Sequence, residues 1–174
     1  MARRKKNHDE QPKGTMPGNW YVKRLDVFPS DVLLYFGDRE AMCKTAYDAF
    51  IEDGKGYGYP AERAEAYAKE LREHFGKSQG EIDGECLSVT DGNGSNRIWI
   101  VRMDGFEGTV DDVSTLSHEC LHAALSILGT HGVNEDPPFE ALCYLHEAIY
   151  KAFLKTAYGR LGLLLDKPPE GLAR

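Results

Sequence analysis

One stretch of the sequence, TLSHECLHAALSIL at positions 115–128, limits the possible folds more than any other. If this stretch is helical, His118 and His122 lie one turn apart and project from the same face. Two imidazole nitrogens placed in this way can bind one zinc ion, and Glu119 beside them can accept a proton from water. The H-E-x-x-H pattern therefore predicts a metal-binding helix, with Glu119 as its acid–base group.

The residues around the motif favour a buried helix. Thr109 to Asp112 has the form of a capping box at the helix start, and Gly129 is placed to end the helix. The apolar residues between them recur at helical spacing: Val113, Leu116, Cys120, Leu121, Ala124, Ile127 and Leu128. A buried helix rarely carries two histidines and a glutamate without partners, which a metal ion would provide. The alternative is a pair of core histidines satisfied by hydrogen bonds.

Charge is distributed unevenly along the chain. The formal net charge is -7, yet the first 18 residues carry five basic and two acidic side chains. The segment 103–150 has nine carboxylates and neither Lys nor Arg. Nucleic-acid affinity depends on basic side chains, so such a partner is not expected for this segment, and an acidic field suits a cation instead. The basic tail is the only feature that favours a nucleic-acid-binding protein, which remains a separate hypothesis.

Length and composition are those of one soluble domain. We expect a disordered basic tail at 1–19, a single domain at 20–165 and a C-terminal tail at 166–174. The basic cluster at 3–6 is not followed by an apolar stretch, so we expect no ordinary signal peptide, and no apolar run reaches the length expected of a membrane span. The four cysteines form no C-x-x-C pair, which indicates a reducing compartment. The protein is expected to be cytoplasmic; its oligomeric state is not indicated.

Hydrophobic patterning predicts an α+β fold in which a small sheet with a hairpin packs against about four helices. The run 32–36 is expected to be a central strand, and segments 85–90 and 97–103 flank an Asp-Gly-Asn-Gly turn as a hairpin. Helices are expected from Asp38 to about Glu52, over 61–75, through the motif, and over 139–158 with Gly159 as the stop. Cys120 and Cys143 occupy apolar helical positions and are expected to be buried.

The two histidines need a third ligand, because a catalytic zinc ion usually has three protein ligands and one open position. The metzincin spacing is excluded, since Leu125 and Leu128 stand where that pattern requires Gly and His. The remaining candidates follow the motif helix: Glu140, His131, His146 and Glu147. His131 would require its loop to fold back over the metal ion.

With Glu140 placed 18 residues after His122 and followed by Ala141, the sequence resembles the gluzincin type of zinc peptidase. The stretches 115–122 and 139–145 are also similar to small metallopeptidases encoded in bacteriophage genomes. The resemblance covers about residues 110–150. It implies a compact zincin-like domain and a zinc ion bound by His118, His122 and Glu140.

The resemblance also implies how a substrate is held, and at one position this chain departs from the family pattern. In those peptidases a sheet edge holds the substrate in extended form, and here the hairpin strand Arg97 to Val101 precedes the motif helix. Thermolysin-like enzymes have an Asp where this chain has Tyr144, so the partner of His118 is not given. Tyr144 could hydrogen-bond an oxyanion as a catalytic residue, or it could simply pack.

The expected activity is zinc-dependent hydrolysis of a peptide bond in a peptide or protein substrate, with Glu119 as general base. The gene could be carried by a phage, in which case the protein would act in the host cytoplasm. The alternative is a non-catalytic zincin-like module that binds a host or assembly partner. The intact Glu119 argues against this alternative, because a purely structural zinc ion needs no general base.

Overall fold

The computed structural model describes residues 19–25, 28, 30–51, 58–75, 83–92, 94, 96–133 and 139–162. The strands are β1 (Trp20–Leu25), β2 (Ser30–Phe36), β3 (Gly84–Thr90) and β4 (Arg97–Met103). The helices are α1 (Arg39–Phe50), α2 (Ala61–Phe75), α3 (Val110–Thr130) and α4 (Phe139–Arg160). This α+β arrangement confirms the predicted class. Of the expected tails at 1–19 and 166–174, every residue except Asn19 lies outside the described residues.

The four strands form one mixed sheet in the order β1-β2-β4-β3. β2 and β4 run parallel in the centre, and β1 and β3 each join their neighbour in antiparallel fashion. The prediction of a central strand at 32–36 is confirmed, and so is the hairpin of β3 and β4. Within the described part of the chain, β3 therefore forms one edge of the sheet.

Each face of the sheet is covered by one pair of helices. Ile98 and Ile100 of β4 pack with α1 and α2. The intervening Trp99 and Val101 pack with α3 and α4 on the other face. This alternation follows from the two-residue period of a strand, and it explains why the run 98–101 of β4 is apolar on both faces. The motif helix thus lies directly on the sheet.

The predicted start of the motif helix is confirmed. Asp112 N–H donates to Thr109 Oγ1 at 3.1 Å, and Thr109 N–H donates to the Asp112 carboxylate at 3.0 Å. This reciprocal capping box satisfies backbone donors that a helix N-terminus leaves unpaired. The predicted cap of α1 is also present, because Asp38 accepts a hydrogen bond from Ala41 N–H at 2.8 Å.

The predicted helix stops at two glycines are wrong. α3 continues through Gly129, and the backbone reverses at Gly132, whose φ is +78°. Gly132 N–H donates to Gly129 O at 3.1 Å and Val133 N–H donates to Leu128 O at 2.9 Å, which is a Schellman motif. α4 likewise includes Gly159 and runs to Arg160. The second glycine in each region, not the first, has the left-handed conformation.

The four cysteines are free thiols, with Cys43 and Cys120 buried and Cys143 exposed. The expected burial of Cys120 is confirmed and that of Cys143 is wrong. α4 buries the face that contains Leu145, Ile149 and Phe153, and Cys143 lies outside it.

Among the described residues, none of the helices combines the length and the hydropathy that a membrane-spanning helix requires.

Candidate metal centre

α3 brings the two motif histidines together. His118 Nε2 and His122 Nε2 lie 2.9 Å apart, with the ring planes at 87° to each other. Either ring can donate to the other, depending on the tautomers. Two imidazoles bound to one tetrahedral zinc ion have their nitrogens about 3.3 Å apart, given Zn–N bonds of about 2.0–2.1 Å. The two side chains therefore fit a shared metal ion, and both are exposed to solvent.

Glu119 lies on the side of α3 that faces β3. It is only 8% exposed, and no hydrogen bond or ion pair joins its carboxylate to another described residue. The carboxylate borders a cleft of about 440 Å³ between α3 and the β3 edge. His122 borders the same cleft. His122 and the Glu119 carboxylate, which has no hydrogen-bond partner among the described residues, thus line the same cleft.

The remaining walls of the cleft come from β3, β4 and the next turn of α3. Their side chains include Cys86, Ser88, Trp99 and Ser126. Trp99 Nε1–H donates to Ser126 Oγ at 2.9 Å, so the indole is held in place. No motif in the sequence points to Cys86, Ser88 or Ser126. The one available signal is that Cys86 and Ser88 alternate along β3 and must therefore project to the same face.

Gly84 allows β3 to approach α3 at Glu119. A Cβ atom at this position would lie 2.5 Å from Thr115 Cγ2, 3.2 Å from Met103 Sδ and 3.3 Å from Glu119 Cγ. The first of these distances is far inside van der Waals contact. Only glycine therefore fits between β3 and the turn of α3 that carries the general-base candidate.

On the face of the sheet opposite the cleft, a network of charged side chains holds β3 in place. Glu85 accepts hydrogen bonds from Arg39 Nε at 2.9 Å and from Arg102 Nε at 2.5 Å. Burial alone would raise the pKa of Glu85, but these hydrogen bonds and the two positive charges hold it below its ordinary value. Glu85 is therefore a structural carboxylate that joins β3 to β4 and α1.

The thiols beside Glu119 remain protonated. Burial, followed by the negative charge of Glu119, raises the pKa of Cys86 to about 12. Burial, followed by Cys86 and Glu119, also raises the pKa of Cys120. A thiol must lose its proton to act as a nucleophile or a zinc ligand. Neither thiol is therefore a candidate nucleophile or zinc ligand in the cleft.

Glu140 and Tyr144 lie together on the exposed side of α4. Tyr144 Oη–H donates to Glu140 Oε1 at 3.2 Å, and Tyr144 is 64% exposed. Among the described residues, no three His, Cys, Asp or Glu side chains are close enough to hold a metal ion. The structure therefore does not bring Glu140 to the histidine pair, and its role as third ligand stays a prediction. Residues 134–138, which immediately precede α4, lie outside the described part.

The other candidate ligands have partners elsewhere. His131 Nε2 lies 3.3 Å from Ser30 Oγ, and its ring packs on Phe28. His146 Nε2 lies 3.1 Å from Ser117 O, where it links α4 to α3 beside the motif. Glu147 forms an ion pair with Lys151.

The edge strand beside the cleft is not the one expected. Arg97 to Val101 belongs to β4, which lies between β2 and β3 and has no free edge. The edge beside α3 is β3, the other arm of the hairpin.

Comparison of the chain with protein-family models, with curated proteins and with solved structures finds no significant match.

Proposed function

We propose that this chain is a zincin-like, zinc-dependent metallopeptidase. One observation about α3 carries the proposal. Two imidazole nitrogens lie 2.9 Å apart on this helix, and the buried Glu119 of the same helix borders the adjoining cleft without a hydrogen-bond partner among the described residues. A structural metal site needs neither a cleft nor an adjacent acid. Peptide-bond hydrolysis needs both.

The roles of the residues follow from their chemistry. His118, His122 and Glu140 would hold the ion, which when bound acts as a Lewis acid that polarises a carbonyl group and makes water more acidic. Glu119 accepts the proton of the attacking water and returns it to the leaving amine. Its carboxylate can do so because no described residue competes for it by hydrogen bonding. Tyr144, beside Glu140, is the candidate donor to an oxyanion.

The β3 edge offers a means of holding a peptide. Backbone groups of an edge strand can pair with an extended chain, which gives affinity without strong sequence preference. The cleft between β3 and α3 would hold that chain beside Glu119. Substrate side chains pointing towards α3 would meet Trp99 and Ser126. The substrate class is therefore an extended peptide.

One observation favours a non-catalytic, zinc-binding module as the second candidate. The described residues gather two histidines without a third ligand. Such a module would keep the histidine pair for metal binding and would not use Glu119. Replacing Glu119 by Gln separates the two functions, because the substitution keeps the shape of the side chain and removes the base.

The test combines zinc content with activity. Elemental analysis of the reconstituted full chain should give about one zinc ion per chain. Glu140→Ala should weaken zinc binding by more than the roughly 10- to 100-fold expected for loss of an outer-sphere partner. Glu147→Ala, which removes another exposed acid of α4, is the matched control and should bind zinc normally. Absence of zinc in the reconstituted protein would remove both metal-based functions.

The activity measurement uses casein degradation by the zinc-loaded protein. Glu119→Gln should retain zinc and lose activity by at least about 100-fold, the lower range for removal of a general base. Equal casein degradation by Glu119→Gln and the original chain would exclude Glu119 as the base. Zinc binding without degradation of casein or of randomised peptides by the original chain would favour the binding module.

A further inference from the structure

The register of the hairpin shows which backbone groups of β3 point away from the sheet. Asp104 N–H donates to Asp83 O at 2.9 Å, and Asp91 N–H donates to Asn96 O at 3.1 Å. In an antiparallel pair, residues that exchange hydrogen bonds recur at every second position. The residues of β3 that bond to β4 are therefore 85, 87 and 89. The intervening residues direct their N–H and C=O groups outwards: Gly84, Cys86, Ser88 and Thr90.

Glu70 closes one end of this edge. Thr90 N–H and Thr90 Oγ1–H both donate to Glu70 Oε2, at 2.8 and 2.6 Å. Glu70 belongs to α2, which covers the face of the sheet opposite the cleft, so its side chain reaches around the edge. A strand laid along β3 would meet this carboxylate at Thr90. Among the described residues, no backbone group pairs with the outer side of the edge from Gly84 to Ser88. This open part of the edge spans about 14 Å, or about five residues of an extended peptide.

The charge of Glu70 distinguishes the two ends of a bound peptide. Its Oε1 accepts no hydrogen bond from a described residue, so it can accept one from an added donor. A terminal ammonium group that reaches Oε1 would form a charge-assisted hydrogen bond, which a terminal carboxylate cannot form. The guanidinium of Arg97 donates to Ser88 Oγ at 3.2 Å near the same end, so the selection rests on direct contact with Oε1 and not on the overall charge of this end. A peptide antiparallel to β3 would have its amino end at Thr90, because β3 runs from Gly84 to Thr90. Antiparallel pairing is also the slightly more stable arrangement.

We propose that Glu70 selects the free amino terminus of a peptide bound antiparallel along the open edge of β3. The protein then binds peptide or protein substrates at their free amino termini and not at internal segments. This inference rests on the proposed function, because it names the substrate class of the same cleft. Glu70 is a specificity-determining residue that lies outside the chemistry at Glu119.

The test compares two pools of randomised peptides of about ten residues, twice the length that the open edge spans. The pools are identical except that one has acetylated amino termini. Both are offered together to the zinc-loaded Glu119→Gln protein, which lacks the general base and should not consume them. Mass spectrometry of the retained peptides gives the ratio of free to acetylated forms, and hydrogen exchange of 84–90 locates the bound chain.

Retention of the free form should exceed that of the acetylated form by about tenfold, the effect of one hydrogen bond to a charged group. Adding Glu70→Gln should bring the ratio close to one, because the amide oxygen can still accept from Thr90 but carries no charge. The matched control is Glu73→Gln, which removes an exposed acid of the same helix and should leave the ratio unchanged.

Three outcomes would overturn the inference. A ratio near one with Glu70 intact would exclude selection of the amino terminus, and a ratio unaffected by Glu70→Gln would exclude Glu70 as its cause. Retention of neither pool would remove the edge site itself. None of these outcomes would alter the zinc content or casein degradation of the original chain, so the proposed function would be judged separately.

Discussion

Gly84 is the residue at which the strand that borders the cleft passes closest to the motif helix. Gly84→Ala would place a methyl group 2.5 Å from Thr115 Cγ2, so either β3 or the turn carrying Glu119 must move. We expect a loss of about 1–3 kcal/mol in the free energy of unfolding, as for other overpacked sites. The displaced turn carries Glu119, the proposed general base, so casein degradation should fall while zinc content stays normal. Urea unfolding and elemental analysis measure these effects.

The matched control is Gly105→Ala, since a Cβ atom at Gly105 would have no neighbour within 4 Å. The double variant Gly84→Ala with Thr115→Ser provides a further check, because serine lacks the methyl group that is struck. It should recover part of the lost stability. Equal stability of Gly84→Ala and the original chain would show that the strand can move away without cost.

At the level of elements, β3 is joined to its neighbours by the Glu85 network. The pKa of Glu85 is lower in the folded chain than its ordinary value, because hydrogen bonds from Arg39 and Arg102 outweigh the effect of burial. A lowered pKa contributes stability above the ordinary pKa of about 4.3, and this stability is lost as the pH falls through the lowered value. Unfolding free energies measured from neutral pH downwards should therefore decline in this range. Glu85→Gln should flatten the decline; an unchanged slope would contradict the prediction.

The elements were largely predictable because local signals specify them. The Asp38 cap, the Thr109 capping box and the hairpin turn each fix a boundary through contacts within a few residues. Gly129 and Gly132 show where such signals fail. Both glycines could end α3, and the choice depends on which register satisfies the last carbonyl groups.

The site was predictable only in part. The spacing of His118, Glu119 and His122 along one helix determines their relative positions. The edge position of β3 and the closure by Glu70 depend instead on contacts between elements distant in sequence, for which no pattern within either segment is a signal. The same reason applies to Glu140: its place on α4 was predictable, but its position relative to the histidines depends on how α4 packs.

For the molecule as a whole, the proposed zinc site would connect the two helices that cover one face of the sheet. His118 and His122 belong to α3 and Glu140 to the first turn of α4, so an ion held by all three would be bound by the folded chain and not by the unfolded one. Zinc should then raise the free energy of unfolding by about 2.7 kcal/mol at a free concentration 100 times its Kd. Urea unfolding in zinc-buffered and chelator-containing solutions measures this difference. Glu140→Ala should reduce it and Glu147→Ala should not. Equal unfolding curves with and without zinc would mean that the folded chain does not bind the ion, whereas an increase that persists in Glu140→Ala would assign the third position to another ligand.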